Sequence, residues 1–162
     1  MPESVKLVID VSTQNLSVSV DGRVAKTFSV STGIRGTGQQ TGSEQTPLGK
    51  HYIRSKIGAD VPEMGVFVGR RFTGELFTPE LSSQYPERDW ILSRILWLSG
   101  LEPGFNRDGE VDTLRRYIYI HGTPDSEPMG IPASHGCIRM RNSDLIELFG
   151  LVEKGTEVTI EA

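Results

Sequence analysis

The sequence predicts a mostly β, single-domain protein over residues 1–162, with one clear short helix after Cys137 and a longer middle insertion at about residues 60–115. Three observations carry this reading. Short runs of alternating apolar and polar residues recur along the chain, as strands with one buried face require. Glycine (18) and proline (9) interrupt these runs at short intervals. Helix start and stop signals come together at one place, around Leu145–Phe149.

Residues 5–11 alternate well enough for a first strand, and Asn15 marks a turn. Leu16-Ser17-Val18-Ser19-Val20 then alternates strictly up to Asp21-Gly22. Asp-Gly between two alternating runs is a strong hairpin signal, so Arg23 to Ser31 should return antiparallel. Thr32 to Thr46 holds four glycines and reads as a long loop, closed by Pro47 before a strand around His51–Ser55. The glycines resemble a phosphate loop only superficially, because no Gly-Lys-Ser/Thr ends them.

Gly65–Gly69 reads as a short strand, and Pro79–Arg88 as polar, turn-rich chain. Trp90–Leu98 fits strand or helix by periodicity; flanking turn residues and Gly100 favour a strand. Phe72–Glu87, with the exposed-type aromatics Phe72, Phe77 and Tyr85, is a candidate lid or an ordinary surface insertion. Tyr117-Ile118-Tyr119-Ile120 should be a buried strand ending at His121-Gly122. After Cys137, Asn142-Ser143-Asp144 offers helix caps, Leu145–Phe149 an apolar face, and Gly150 a stop. Val158-Thr159-Ile160 completes the sheet.

A net charge of -4 and the lack of a basic stripe argue against a nucleic-acid partner. A single cysteine makes no internal bridge, and a chain of this length buries about two-thirds of its unfolded surface without one. Val5–Asp10 is too short and too charged for a signal-peptide core, and no apolar run approaches the ~18 residues of a membrane span. The expectation is therefore a cytoplasmic protein without a membrane span, or a periplasmic one whose export signal has been removed.

The chemistry concentrates in Ser134-His135-Gly136-Cys137-Ile138-Arg139-Met140. A free thiol has a pKa of about 8.5 and needs a base to become a nucleophile at neutral pH. His121, delivered by a strand and followed by Gly122, is placed to be that base. The competing reading is an inert buried cysteine beside satisfied histidines.

His121-Gly122-Thr123 and the segment from Ser134 to Met140 together resemble the signature of the L,D-transpeptidase (YkuD-type) catalytic domain, a bacterial peptidoglycan family. Ser31-Thr32-Gly33 and Thr46-Pro47-Leu48-Gly49-Lys50-His51-Tyr52 extend the resemblance over essentially the whole chain. It implies a β-sandwich with the site at one end of the sheets. It also implies that Cys137 attacks the bond between the L-centre of a diamino acid and the terminal D-alanine of a peptidoglycan stem tetrapeptide. His121 would be base and then acid, oriented by the backbone carbonyl of Gly122.

The amides of Gly136 and Cys137 are the natural donors to a tetrahedral oxyanion. Ser134, His135 and Arg139 are candidate substrate-binding residues: Ser134 by positioning or as a turn serine, His135 by supporting the pocket, Arg139 by holding a carboxylate or by forming a structural ion pair. Arg115 and Arg116 are left outside the site.

The thioester can pass to water, an L,D-carboxypeptidase outcome favoured by the cytoplasmic expectation, in which muropeptides are trimmed and recycled. It can also pass to an amine, forming a cross-link or anchoring a protein. The expected partners are stem peptides or muropeptides, with β-lactams, carbapenems above all, as inhibitors; no cofactor and no metal is expected. A rival class takes His121, His135 and Cys137, with His51, as zinc ligands. A papain-like peptidase has the opposite order of cysteine and histidine, and the intact Cys and His argue against a silent binding module.

Overall fold

The computed structural model describes residues 4–162. Met1, Pro2 and Glu3, which belong to the N-terminal reading above, lie outside the described residues. The strands are β1 (Val5–Asp10), β2 (Asn15–Val20), β3 (Arg23–Ser29), β4 (Gly49–Ile57), β5 (Gly65–Val68), β6 (Arg71–Leu76), β7 (Ile91–Gly100), β8 (Tyr119–Gly122), β9 (Ile138–Met140) and β10 (Glu157–Glu161). The helices are α1 (Pro79–Gln84) and α2 (Asn142–Leu151).

The first hairpin forms where Asp21-Gly22 demands it. Both residues have positive φ, 50° and 84°, the geometry whose twist matches flanking antiparallel strands. Hydrogen bonding runs in the order β3-β2-β1-β10-β4-β7-β5-β6, and β8 lies between β7 and β9. Most pairs are antiparallel; β1 with β10 and β8 with β9 are parallel.

Beyond β3, Ser31 makes an antiparallel bridge to Arg139 in β9. The sheet thus curls until its distant strands meet. The layers enclose one main core that includes Leu7, Ile9, Leu16, Ile53, Leu98, Ile120, Ile138, Met140 and Val158. α2 seals this core with Leu145, Leu148 and Phe149. The expected β layers over a single core are therefore present, joined by continuous hydrogen bonding.

Three readings need correction. β8 begins at Tyr119 and not at Tyr117, because Tyr117 takes a left-handed φ of 57° and breaks the strand; it ends at His121-Gly122 as expected. α2 runs through Gly150 to Leu151 and its cap residue is Arg141, with no side-chain capping bond. Asn142 is a buried bridge: its Oδ1 accepts from Ser93 Oγ at 2.6 Å and its Nδ2 donates to the Thr123 carbonyl at 2.9 Å.

There is also a second helix. Within Phe72–Glu87, β6 pairs with β5 and α1 follows, capped by Thr78 Oγ1 accepting from Leu81 N at 3.1 Å, with Pro79 at its start. Phe77 and Leu81 pack on Trp90, Val66 and Leu92, while Phe72 and Tyr85 stay exposed. Trp90–Leu98 resolves as strand from Ile91 onward.

Candidate active site

Strand pleating separates the site from the core. β8 and β9 run parallel with Ile120 opposite Ile138 and His121 opposite Arg139. Side chains alternate between faces, so Ile120, Ile138 and Met140 enter the main core while Tyr119, His121, Cys137 and Arg139 share the other face. Cys137 packs there with Tyr119, Phe67, Ile95 and Trp97. His121, opposite Arg139, and Cys137, two residues before Arg139, therefore occupy diagonal positions on this face.

His121 is buried. Its Nδ1 lies 2.6 Å from the Gly122 carbonyl, and a carbonyl only accepts, so Nδ1 carries the proton and Nε2 keeps its lone pair. Burial pushes the imidazole pKa down, against the raising effects of this hydrogen bond and of Asp89. The ring is therefore neutral and its free nitrogen is a base. Glycine is required at position 122 for space: a Cβ there would collide with Asn142 Oδ1 and the Leu92 carbonyl.

Cys137 is half-buried. Its Sγ accepts from the Tyr119 amide at 3.3 Å and donates to the Tyr117 carbonyl at 3.3 Å. Among the described residues no hydrogen bond joins Sγ to His121. Burial pushes the thiol pKa up to about 12; the Tyr119 amide, Arg139 and Arg116 oppose that shift and Asp89 adds to it. The resting pair is therefore a neutral thiol beside a neutral imidazole. Such a pair can act by transferring the proton during attack.

The loop from Thr32 to Thr46 forms the other wall. Gly33 bridges to Ser134, Ile34 N donates to the Ser134 carbonyl at 2.9 Å, and Thr46 Oγ1 donates to the Gly136 carbonyl at 2.9 Å. Gly136 has a φ of 123°, a conformation that favours glycine. Ser134 Oγ donates to the Cys137 carbonyl at 2.6 Å and accepts from Gly136 N at 3.2 Å. The Gly136 amide thus already has an acceptor, and an oxyanion must compete with Ser134 for it. Ser134 acts here as the organiser of the turn.

Arg139 is only 7% exposed at its side chain, with Nη2 3.1 Å from Asp89 Oδ1 and Nη1 3.3 Å from Glu127 Oε2. Both ends of the guanidinium are taken by the protein's own carboxylates. His135 is exposed, with Nδ1 3.9 Å from Glu44 Oε1, too far for a hydrogen bond. Together with Asp89, Glu127 and Thr123, these two residues line a cavity of about 210 Å³.

Sequence reasoning missed Asp89, Arg116 and Tyr117. Arg116 donates to the carbonyls of Gly38, Gln39 and Gln45 and to Ser43 Oγ, at 2.5–3.3 Å, pinning the loop. Tyr117 and Trp97 have ring centroids 6.1 Å apart, and the Arg70 guanidinium lies over both. No local pattern in the chain marks these residues; only the fold brings them to the cysteine.

The zinc set is not assembled. His51 is buried, with Nδ1 3.0 Å from the Gly49 carbonyl and Nε2 2.9 Å from Thr113 Oγ1, so both nitrogens are engaged. Among the described residues, no group of three or more His, Cys, Asp or Glu is arranged to hold a metal ion. Among the described residues no helix is long and apolar enough to cross a membrane.

Known proteins are similar to this chain over nearly its whole length. The family model of the L,D-transpeptidase catalytic domain matches residues 4–160. The chain is 26% identical over 154 residues to the putative L,D-transpeptidase YkuD of Bacillus subtilis (strain 168), covering 95% of this chain and 64% of that protein's length. In fold it is similar to an L,D-transpeptidase from Mycobacterium smegmatis (TM-score 0.62, 19% identity, 99% of this chain and 59% of that one). It is also similar to L,D-transpeptidase 3 from Mycobacterium tuberculosis in complex with a faropenem-derived adduct (TM-score 0.60, 19% identity, 99% and 61%). The chain thus spans less than two-thirds of the length of each.

Proposed function

The chain belongs to the L,D-transpeptidase catalytic-domain family, and from that premise we propose that it is a cysteine-dependent acyltransferase acting on peptidoglycan stem tetrapeptides. The observation that carries this reading is the one face formed by β8 and the segment leading into β9, which holds both Cys137 and a His121 whose Nε2 is unprotonated.

In the proposed reaction Sγ attacks the carbonyl carbon between the L-centre of the diamino acid and the terminal D-alanine. The S–C bond forms as the thiol proton moves to His121 Nε2. Nε2 then gives that proton to the leaving nitrogen, the C–N bond breaks, and D-alanine departs from a thioester on Cys137. The Gly122 carbonyl holds the imidazole in one tautomer and stabilises its transient positive charge. The Cys137 amide, together with that of Gly136 once released from Ser134, is the proposed oxyanion donor. Ser134 positions the turn, while His135 and Arg139 line the substrate pocket.

Water is the proposed acceptor. It needs no second peptide held close to the thioester, and it is always present at a concentration of tens of molar, so an acyl-enzyme with no bound amine is hydrolysed. Water adds to the thioester, His121 takes its proton and returns it to sulfur, and a tripeptide leaves. This makes the protein an L,D-carboxypeptidase that trims muropeptides. The product spectrum from a purified disaccharide tetrapeptide tests it: tripeptide and free D-alanine with little dimer are expected, whereas predominant cross-linked dimer would make an amine the acceptor.

Carbapenems should acylate Cys137, since a strained cyclic amide offers the same reactive carbonyl. The faropenem-derived adduct of the Mycobacterium tuberculosis protein prompts this proposal. An intact-protein mass shift matching the drug, absent in Cys137→Ala, supports it.

A further inference from the structure

His121 and Gly122 are consecutive in β8, yet their partners in β7 are Ile95 and Leu92, three residues apart. Ser93 and Arg94 bulge out of the ladder between those partners, and Ser93 takes a left-handed φ of 71°. A bulge interrupts the backbone hydrogen bonds that otherwise fix a strand, and this one falls beside the residue that orients the base. On the other side β9 stops at Met140, opposite Gly122.

Side chains fill the gap. Asn142, the first residue of α2, is 3% exposed, and Ser93 is fully buried. The Met64 amide donates to Ser93 Oγ at 2.9 Å, Ser93 Oγ donates to Asn142 Oδ1 at 2.6 Å, and Asn142 Nδ2 donates to the Thr123 carbonyl at 2.9 Å. A backbone amide only donates, so the Ser93 hydroxyl must give its own proton onward and the direction of the whole row is fixed.

This row brackets the peptide group between Gly122 and Thr123. Asn142 Oδ1 occupies the space that a Cβ on Gly122 would take, and Asn142 Nδ2 holds the next carbonyl along. The carbonyl of the bracketed peptide is the one that His121 Nδ1 meets at 2.6 Å. Met64 directly precedes β5, so the row also ties the middle insertion to the base.

We propose that Asn142 and Ser93 are positioning residues for the base: they hold the Gly122 carbonyl in line with His121 Nδ1 and so keep the lone pair on Nε2. Both act through Gly122, without a hydrogen bond to His121 among the described residues. Once the bracket is loosened the peptide can turn, Nδ1 loses its acceptor, and the proton can sit on either ring nitrogen. An imidazole protonated at Nε2 has no lone pair there for the thiol proton. The kinetic part of this inference rests on the function proposed above; the tautomer part does not.

The test compares the full chain with Asn142→Ala and Ser93→Ala, and with Val18→Ala as a core variant far from the site. Nitrogen NMR of the imidazoles reads the tautomer without substrate, and His121→Gln identifies the His121 signals among the three histidines. The unsubstituted protein and Val18→Ala should show Nδ1 protonated and Nε2 bare, whereas both site variants should show a mixture. In the site variants kcat for D-alanine release should fall about tenfold or more with KM little changed, as expected when a reacting group is misplaced by a fraction of an ångström. Should Asn142→Ala fail to fold, Ser93→Ala, which removes one hydroxyl, decides alone.

An unchanged His121 tautomer in the folded site variants, or a loss of kcat matched by Val18→Ala, would overturn the positioning role. A shifted tautomer in the variants with no D-alanine release by the unsubstituted protein would leave the positioning role standing and sink the proposed reaction. Release by the unsubstituted protein with no tautomer shift in the variants would do the reverse.

Discussion

At the residue scale, the site's distinctive property is the neutrality of its reactive pair. Burial raises the Cys137 thiol to about 12 and lowers the His121 imidazole, so an ion pair is disfavoured at rest. Below a thiol's pKa the thiolate fraction rises tenfold per pH unit. The rate of Cys137 alkylation by iodoacetamide should therefore climb steadily from pH 6 to pH 9 without a plateau. A plateau in that range would reveal a preformed thiolate–imidazolium pair instead. Cys137 and His121 were legible in the sequence because they are unusual: a single cysteine following a glycine, and a histidine following a β-rich run. Asp89 was not, since a carboxylate in a polar stretch has no local mark. Arg139 was legible as a charge but not as a charge already paired.

At the scale of elements, the loop Thr32–Thr46 matters most, since it supplies the Thr46 hydroxyl that holds Gly136. Arg116 fastens this loop by four hydrogen bonds. Arg116→Met removes those donors while keeping the side chain's bulk. It should leave the sheet folded, increase proteolytic cleavage between residues 38 and 45, and lower D-alanine release at least about tenfold, the effect of losing about 1.4 kcal/mol of positioning. Limited proteolysis and a product assay check both parts, and unchanged cleavage would show that the loop is held by other contacts. The strands were legible because alternation and Asp21-Gly22 fix them locally. α1 was missed although its Thr-Pro-Glu start was present, because six residues cannot show a periodic face. The break at Tyr117 had no sequence signal, as a tyrosine with positive φ runs against its own preference.

At the scale of the molecule, His51 ties stability to pH. It is buried where β4 meets the segment carrying Thr113, and burial lowers its pKa to about 4 from an ordinary value of 6.5. Its folded-state pKa is depressed, so the stabilisation is intact above the unfolded value and is lost as pH falls towards 4. At 1.36 kcal/mol per unit, the loss approaches about 3 kcal/mol by pH 4. Urea midpoints should fall between pH 7 and pH 4, and His51→Gln, less stable at pH 7, should show a flatter decline. An equally steep decline in that variant would assign the acid sensitivity to other groups. The fold as a whole was legible because the resemblance covers the chain from Ser31 to Met140. The curling of the sheet through the Ser31–Arg139 bridge was not, since it joins residues 108 positions apart (139 − 31).

The central claim is that Cys137 carries the acyl group, and intact-protein mass spectrometry during turnover of disaccharide tetrapeptide tests it most directly. A transient adduct equal to the substrate minus D-alanine, located on Cys137 and absent in Cys137→Ala, is the predicted result. Release of D-alanine by Cys137→Ala at a comparable rate would contradict it.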